Sequence, residues 1–140
     1  MINNQEINVL PGKEGLILFP LPIADSDIKH TWIDQQLETY LKSVKLIFAE
    51  NERTARRFIS SLRLGIQLEE YRIERMDKNT RPEDIEKYIR LLREEKFALL
   101  MSEAGCPAVA DPGSALVDAC HQNQIRVTPL IGPSSIILSL

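Results

Sequence analysis

The sequence predicts an α/β protein in which a mainly parallel, five-stranded sheet lies between two layers of helices. Short apolar segments alternate along the chain with longer segments whose apolar residues recur every three or four positions, in the order βαβαβαβαβα. Strands that alternate with helices in this way form parallel sheets with right-handed crossovers, and the helices cover both faces. We therefore expect a three-layer αβα sandwich.

Five short apolar runs are the predicted strands. Four of them are almost wholly apolar, which is typical of strands buried on both faces of a parallel sheet. The third run alternates apolar and polar residues, so we expect it to be half-exposed and close to an edge of the sheet. In chain order the runs are residues 15–20, 45–50, 66–76, 97–102 and 125–132.

The segments between these runs carry apolar residues at spacings of three and four, as amphipathic helices do. Asn51 or Thr54 is expected to begin the second helix, and Gly65 to end it as the C′ residue. Thr80 is expected to be the N-cap of the third helix, with Pro82 in its first turn. The predicted helices cover residues 28–44, 51–64, 79–96 and 112–123, and a fifth begins at 133.

Composition limits the kind of protein. The 140 residues suffice for one domain, over residues 15–140, preceded by a flexible arm over residues 1–14. A formal net charge of −3 argues against a protein that wraps nucleic acid, although it permits a local basic patch. No apolar run approaches the roughly 20 residues of a membrane span, and the N-terminus lacks a signal-peptide pattern. Cys106 and Cys120 fit neither a disulfide framework nor a zinc site, so we expect a cytoplasmic protein without a metal.

Four predicted loops follow the carboxyl ends of strands, where open α/β sheets bind their ligands. Three of them are rich in Pro, Gly and Ala, so the backbone is partly fixed and can approach a ligand closely. There is neither a GxxxxGK[ST] segment for a triphosphate nor a GxGxxG after the first strand, so we expect a neutral or zwitterionic ligand with an adenine-like ring. The loops are PLPIAD (20–25), ENER (50–53), SEAGCPAVADPG (102–113) and GPSS (132–135).

In this order, the segments PLPIADSDI, IFAENERTARRF, SEAGCPAVADPG and VTPLIGPSSII resemble the tetrapyrrole methylase family, in the branch that contains the small-subunit rRNA ribose 2′-O-methyltransferase. The resemblance covers roughly residues 15–140. It implies an enzyme that binds S-adenosylmethionine in a cleft between two α/β domains and forms a homodimer. Because the resemblance extends to the N-terminal domain only, and the chain stops within an apolar segment, we expect an inactive fragment.

Site residues follow from these segments. Glu50 and Glu103 both come after carboxyl ends of predicted strands, and either would take a proton from an acceptor hydroxyl. Arg53 would hold a phosphate or anchor one of the two carboxylates. The cofactor-lining residues that the resemblance implies are Pro22, Ile23, Glu103, Ala104, Gly105, Cys106, Pro107, Val109, Ser134, Ser135 and Ile136.

Simpler interpretations of the charged residues stay open. Glu50 and Arg53 would also suit a helix-start acid and an ion pair three residues apart. Arg53, Arg56, Arg57 and Arg63 fall on one predicted helix, and they would form either an RNA-facing patch or an ordinary solvated face.

Three functions are compatible with the sequence. The first is methylation of a ribose 2′-hydroxyl of ribosomal RNA from S-adenosylmethionine. The second, within the same class, is carbon methylation of a porphyrin-like or corrin-like ring. The third is a non-catalytic domain that binds a nucleotide-like ligand or mediates dimerisation. We expect RNA and a second copy of the chain as partners, and no membrane.

Overall fold

The computed structural model describes residues 12–21, 35–77, 79–102 and 113–130. These residues form five strands, four α-helices and one short 3₁₀ helix. The strands are β1 (Gly15–Pro20), β2 (Leu46–Ala49), β3 (Arg72–Arg75), β4 (Phe97–Ser102) and β5 (Arg126–Pro129). The helices are α1 (Gln35–Ser43), α2 (Glu52–Ser61), α3 (Pro82–Glu95) and α4 (Gly113–Gln122), and the 3₁₀ helix is Leu68–Glu70.

All five strands are parallel and lie in the order β3-β2-β4-β1-β5. The connections through α1 and α2 run along the sheet in one direction, and those through α3 and α4 run in the other. Because parallel crossovers are right-handed, α1 and α2 cover one face and α3 and α4 cover the opposite face. The predicted three-layer sandwich is confirmed.

Successive strand residues point to opposite faces, which produces two separate apolar clusters. No polar or charged side chain is buried among the described residues. The cluster beneath α1 and α2 includes Ile17, Phe19, Ile47, Leu99, Tyr40, Leu41, Phe58 and Ile59. The cluster beneath α3 and α4 includes Leu16, Leu18, Phe48, Leu100, Tyr88, Ile89, Leu92, Leu116 and Cys120.

The start of α2 is where the sequence predicts it. Asn51 is the N-cap, and its side-chain oxygen accepts a hydrogen bond from the Thr54 N–H at 3.2 Å. The cap satisfies one of the N–H groups that lack a partner in the first turn of a helix. It fixes the direction in which α2 leaves the end of β2.

The end of α2 differs from the prediction. The helix ends at Ser61, whose hydroxyl donates to the Phe58 carbonyl at 2.7 Å. Arg63, two residues later, already has a positive φ of 53°. Gly65 also has a positive φ, of 74°, but it follows this turn and is not the C′ residue, so that prediction is wrong. The chain therefore turns at Leu62 and Arg63, and the 3₁₀ helix and β3 follow.

Two further boundaries differ. The predicted strand over residues 66–76 is a strand only at β3, since the 3₁₀ helix occupies the middle of the run. Its position at an edge of the sheet is confirmed. The N-cap of α3 is Arg81 rather than Thr80. The Thr80 hydroxyl oxygen instead accepts from the Asp77 N–H at 2.9 Å, and the Asp84 carboxylate accepts from the Arg81 N–H at 3.0 Å.

Tyr71 joins the segment before β3 to α1. Its side chain is buried, and its hydroxyl donates a hydrogen bond to the Leu41 carbonyl. The Lys45 ammonium lies 4.6 Å from the centre of the ring. Burial, with a smaller contribution from the charge of Glu70, raises the pKa of Tyr71 to about 12. The folded state therefore favours the neutral, protonated form of the Tyr71 side chain.

We expect the free energy of unfolding to decrease as the pH rises from 10 to 12. An unfolded tyrosine ionises near pH 10, whereas Tyr71 in the folded state keeps its proton until about pH 12. Between pH 10 and 12, ionisation of the tyrosine stabilises the unfolded state but not the folded state. The contribution of Tyr71 to the free energy of unfolding is therefore complete below pH 10 and is lost as the pH rises to 12. Urea denaturation at several pH values measures this dependence.

Tyr71→Phe is the matched variant. It should lose about 1 kcal/mol at neutral pH, because the Leu41 carbonyl loses its side-chain donor. Its stability should also fall less steeply than that of the wild type above pH 10. An identical pH dependence in the two proteins would contradict the assignment.

Cys120 gives a test of the second cluster. Its side chain is fully buried, and burial raises the pKa of the thiol to about 12. A thiol of this kind forms almost no thiolate, which is the reactive form, near neutral pH. In a Cys106→Ala protein, we expect Cys120 to resist alkylation in buffer and to react once denaturant is added, as followed by mass spectrometry. Rapid alkylation of the native protein would show that α4 does not cover the sheet in this way.

Candidate functional site

The four strands that precede the loops singled out in the sequence are neighbours in the sheet. They occupy consecutive positions in the order β2-β4-β1-β5, and only β3 lies outside this group. Because all strands are parallel, their carboxyl ends lie along one side of the sheet, which we name the carboxyl edge. Neighbouring strands are about 4.8 Å apart, so the four strand ends span roughly 14 Å. One small ligand can therefore contact several of these loops.

The pairing of residues brings three of the strand ends level. Pro20 of β1 pairs with Ser102 of β4, and Ala49 of β2 pairs with Met101 of β4. Glu50, the first residue after β2, is therefore level with Ser102. Ser102 is the residue that starts the long loop SEAGCPAVADPG.

The connections change face at β4. The chain leaves β4 towards α4 on one face, whereas it leaves β1 and β2 towards α1 and α2 on the other face. In open α/β sheets, neighbouring connections that diverge in this way leave a crevice beyond the strand ends, and ligands bind there. The long loop begins at the centre of this arrangement.

All of the predicted cofactor-lining residues, including Glu103, lie outside the described ranges. Their roles in cofactor binding therefore remain predictions. The strand ends that lead into these segments are described. Leu21, which precedes Pro22, is 4% exposed, and Met101, two residues before Glu103, is 1% exposed. The residues outside the described ranges are Pro22, Ile23, Glu103, Ala104, Gly105, Cys106, Pro107, Val109, Ser134, Ser135 and Ile136.

Glu50 and Arg53 are the two predicted catalytic residues that the structure describes. Both are exposed at the carboxyl edge, Glu50 directly after β2 and Arg53 in the first turn of α2. Among the described residues, no ion pair joins them. The ion pair formed within α2 is Glu52–Arg56, at 2.8 Å. The interpretation of Glu50 and Arg53 as an ion pair is therefore wrong, and Glu52 is the acid of the first helical turn.

A groove of about 730 Å³ between α3 and α4 was not predicted. Its lining includes Arg90 and Arg93 together with Glu86 and Asp118, so both signs of charge are present. The Arg93 guanidinium donates to the Asn123 carbonyl at 3.0 Å. The groove depends on how two helices pack against each other, so no local sequence pattern predicts it. It runs along one helical layer and does not involve the strands that carry the four loops.

The described residues contain neither a candidate membrane span nor a candidate metal site. No described helix has the length and apolar character that a membrane crossing requires. Within the same ranges, His, Cys, Asp and Glu do not gather in groups of three or more that could hold a metal ion.

No family model matches the chain. Curated relatives do match it, and the three described here share the name "Ribosomal RNA small subunit methyltransferase I". The protein from Hydrogenobaculum sp. (strain Y04AAS1) is 36% identical over 105 residues, which cover 71% of this chain and 42% of the relative. The protein from Buchnera aphidicola subsp. Schizaphis graminum (strain Sg) is 34% identical over 134 residues, covering 91% and 42%. The protein from Escherichia coli O157:H7 is 31% identical over 130 residues, covering 89% and 41%.

The chain spans about two-fifths of the length of these relatives. The similarity extends well beyond the four short segments from which the resemblance was first inferred. Over most of its length, the chain is therefore a homologue of ribosomal RNA small subunit methyltransferase I proteins, and its resemblance to the tetrapyrrole methylase family is confirmed.

Proposed function

We propose that the protein containing this chain transfers a methyl group from S-adenosylmethionine to a ribose 2′-hydroxyl of ribosomal RNA. One observation carries the proposal: the segments that resemble the methylase family follow four adjacent strands, whose ends lie along the carboxyl edge. The name shared by the relatives supports ribosomal RNA of the small subunit as the substrate.

The cofactor that the family resemblance implies would bind beyond the strand ends at the carboxyl edge. S-adenosylmethionine has an adenine ring and a sulfonium but no phosphate. Leu21 and Met101, at the ends of β1 and β4, belong to the buried apolar cluster beneath α1 and α2, so they anchor the segments that would contact the ring and the sulfonium. The site would be completed by Pro22, Ile23, residues 103–107, Val109 and residues 134–136.

Bound at this edge, S-adenosylmethionine supplies an activated methyl group. The residues of the chain then have two tasks, which are to hold the acceptor hydroxyl in line with that methyl group and to accept its proton. Glu50 is exposed and level with the start of the long loop, which supports it as the residue that would accept the proton. Glu103 is the alternative base. Arg53, one helical turn from Glu50, would hold a phosphate of the acceptor strand.

The proposal extends to assembly and location. We propose a homodimer, with a second α/β domain that completes the cofactor cleft. The aligned part of this chain covers only about two-fifths of each relative, which leaves room for such a domain in the relatives. A ribosomal RNA substrate also favours the cytoplasm as the location.

Calorimetry and a methyl-transfer assay on the full-length protein test the activity. We expect heat on titration with S-adenosylmethionine and with S-adenosylhomocysteine. We also expect transfer of labelled methyl groups to small-subunit ribosomal RNA from a strain that lacks the enzyme, with the label on a ribose. Label on a tetrapyrrole precursor instead would favour carbon methylation. No heat and no thermal shift with either ligand would favour a non-catalytic domain.

Glu50→Gln tests the proposed base. If Glu50 accepts the proton, kcat should fall by about 10²–10⁴-fold while the affinity for S-adenosylmethionine stays the same. Glu69→Gln is the matched control, because Glu69 is exposed in the 3₁₀ helix that precedes β3, at the opposite side of the sheet. If kcat is unchanged in Glu50→Gln, Glu50 is not the base, and Glu103 would be the residue that accepts the proton.

A further inference from the structure

We propose that the outer side of α2, through Arg53 and Arg57, binds the phosphate backbone of the RNA substrate. The proposal rests on the proposed function and adds to it a surface by which the substrate is held. It also decides between the two interpretations of the arginines that the sequence left open.

The charge of α2 differs from that of the other described helices. It carries three arginines against one glutamate, a net charge of +2. α3 has five acidic and three basic residues, and α4 has one aspartate and no lysine or arginine. α1 is balanced by Glu38 and Lys42, which pair at 3.1 Å. In a chain with a formal net charge of −3, α2 is thus the one described helix with positive net charge.

Two of the three arginines on α2 have no acidic partner among the described residues. Arg56 is held by Glu52, four residues earlier, at 2.8 Å. Arg53 and Arg57 form no ion pair within the described ranges, and both are exposed. They lie opposite the apolar side of α2 that packs on the sheet.

Arg53 and Arg57 are four residues apart, so two like charges are neighbours on the helix surface. This spacing is unfavourable for the helix, and a bound anion would relieve the repulsion. The helix neighbours of Arg57 on its C-terminal side are Ser60 and Ser61, which offer no compensating charge. A helix face that served only for solvation would gain from an acid at one of these positions.

The position of the two arginines suits a substrate that enters the carboxyl edge. α2 starts at this edge, directly after Glu50, and side chains on a helix lean towards its N-terminus. Both guanidinium groups therefore lie towards the N-terminal end of α2, which is the end next to the proposed site. Arginine binds phosphate oxygens through two parallel N–H groups, which suits an RNA strand better than a point charge does. Arg63 lies beyond the C-terminal end of α2, in the turn where its backbone has a positive φ, and is therefore not part of this surface.

The test measures binding of the full-length protein to a transcript of small-subunit ribosomal RNA between about 50 and 200 mM salt. The double variant Arg53→Gln/Arg57→Gln should bind roughly tenfold more weakly at about 100 mM salt. The slope of log K against log salt concentration should decrease in magnitude by about 1.4–1.8, as expected when two phosphate contacts are lost. Its affinity for S-adenosylmethionine and its melting temperature should not decrease, because both side chains are solvated.

Arg56→Gln is the matched control, since it removes the same charge from the same helix at the position that Glu52 already neutralises. It should change the RNA affinity less than twofold. An unchanged affinity and salt slope in the double variant, or an equal loss in Arg56→Gln, would overturn the assignment and leave the proposed methyltransferase function intact. A wild-type protein that binds S-adenosylmethionine but no RNA would overturn both this surface and the RNA substrate.

Discussion

The structure depends on the parallel pairing of β4 with β1 on one side and with β2 on the other. Six residues of β4 pair with β1, and Ala98–Met101 also pair with β2. These four residues are at most 3% exposed, so their backbone groups must find partners in the neighbouring strands. A shift of one residue in the pairing register would turn each side chain of β4 towards the opposite helical layer, where it would no longer fit its apolar cluster. The level arrangement of the ends of β1, β2 and β4 at the carboxyl edge follows from this register.

The same sheet presents two different outer layers. The layer of α1 and α2 is neutral to basic, whereas the layer of α3 and α4 is acidic. Since the connections from β1 and β2 leave on the first side and that from β4 leaves on the second, the carboxyl edge lies between surfaces of opposite character. A polyanionic substrate would approach from the side of α2, and the cofactor would occupy the crevice beyond β4.

Edge strand β3 is attached to both layers through tyrosines. Tyr71, directly before β3, donates to the Leu41 carbonyl in α1. Tyr88 in α3 donates to the Arg75 carbonyl at the end of β3, at 2.5 Å, and its ring centre is 5.0 Å from that of Phe48 in β2. Each hydroxyl satisfies a backbone acceptor across two elements that are far apart in the sequence. These bonds hold the short edge strand in place, although it pairs with β2 alone.

The sequence by itself determined the fold class, four of the five strands to within two or three residues, and the loops that carry the family resemblance. Apolar periodicity, caps such as Asn51 and breakers such as Pro82 are local properties, and a single segment displays them. The sequence did not determine that β4 lies between β1 and β2, nor that Arg56 is neutralised whereas Arg53 and Arg57 are not. It also misplaced the end of α2 and the start of β3. The tertiary structure decided these features, because strand order, the early turn after α2 and the partners of exposed charges depend on contacts between residues that the periodicity of one segment does not relate.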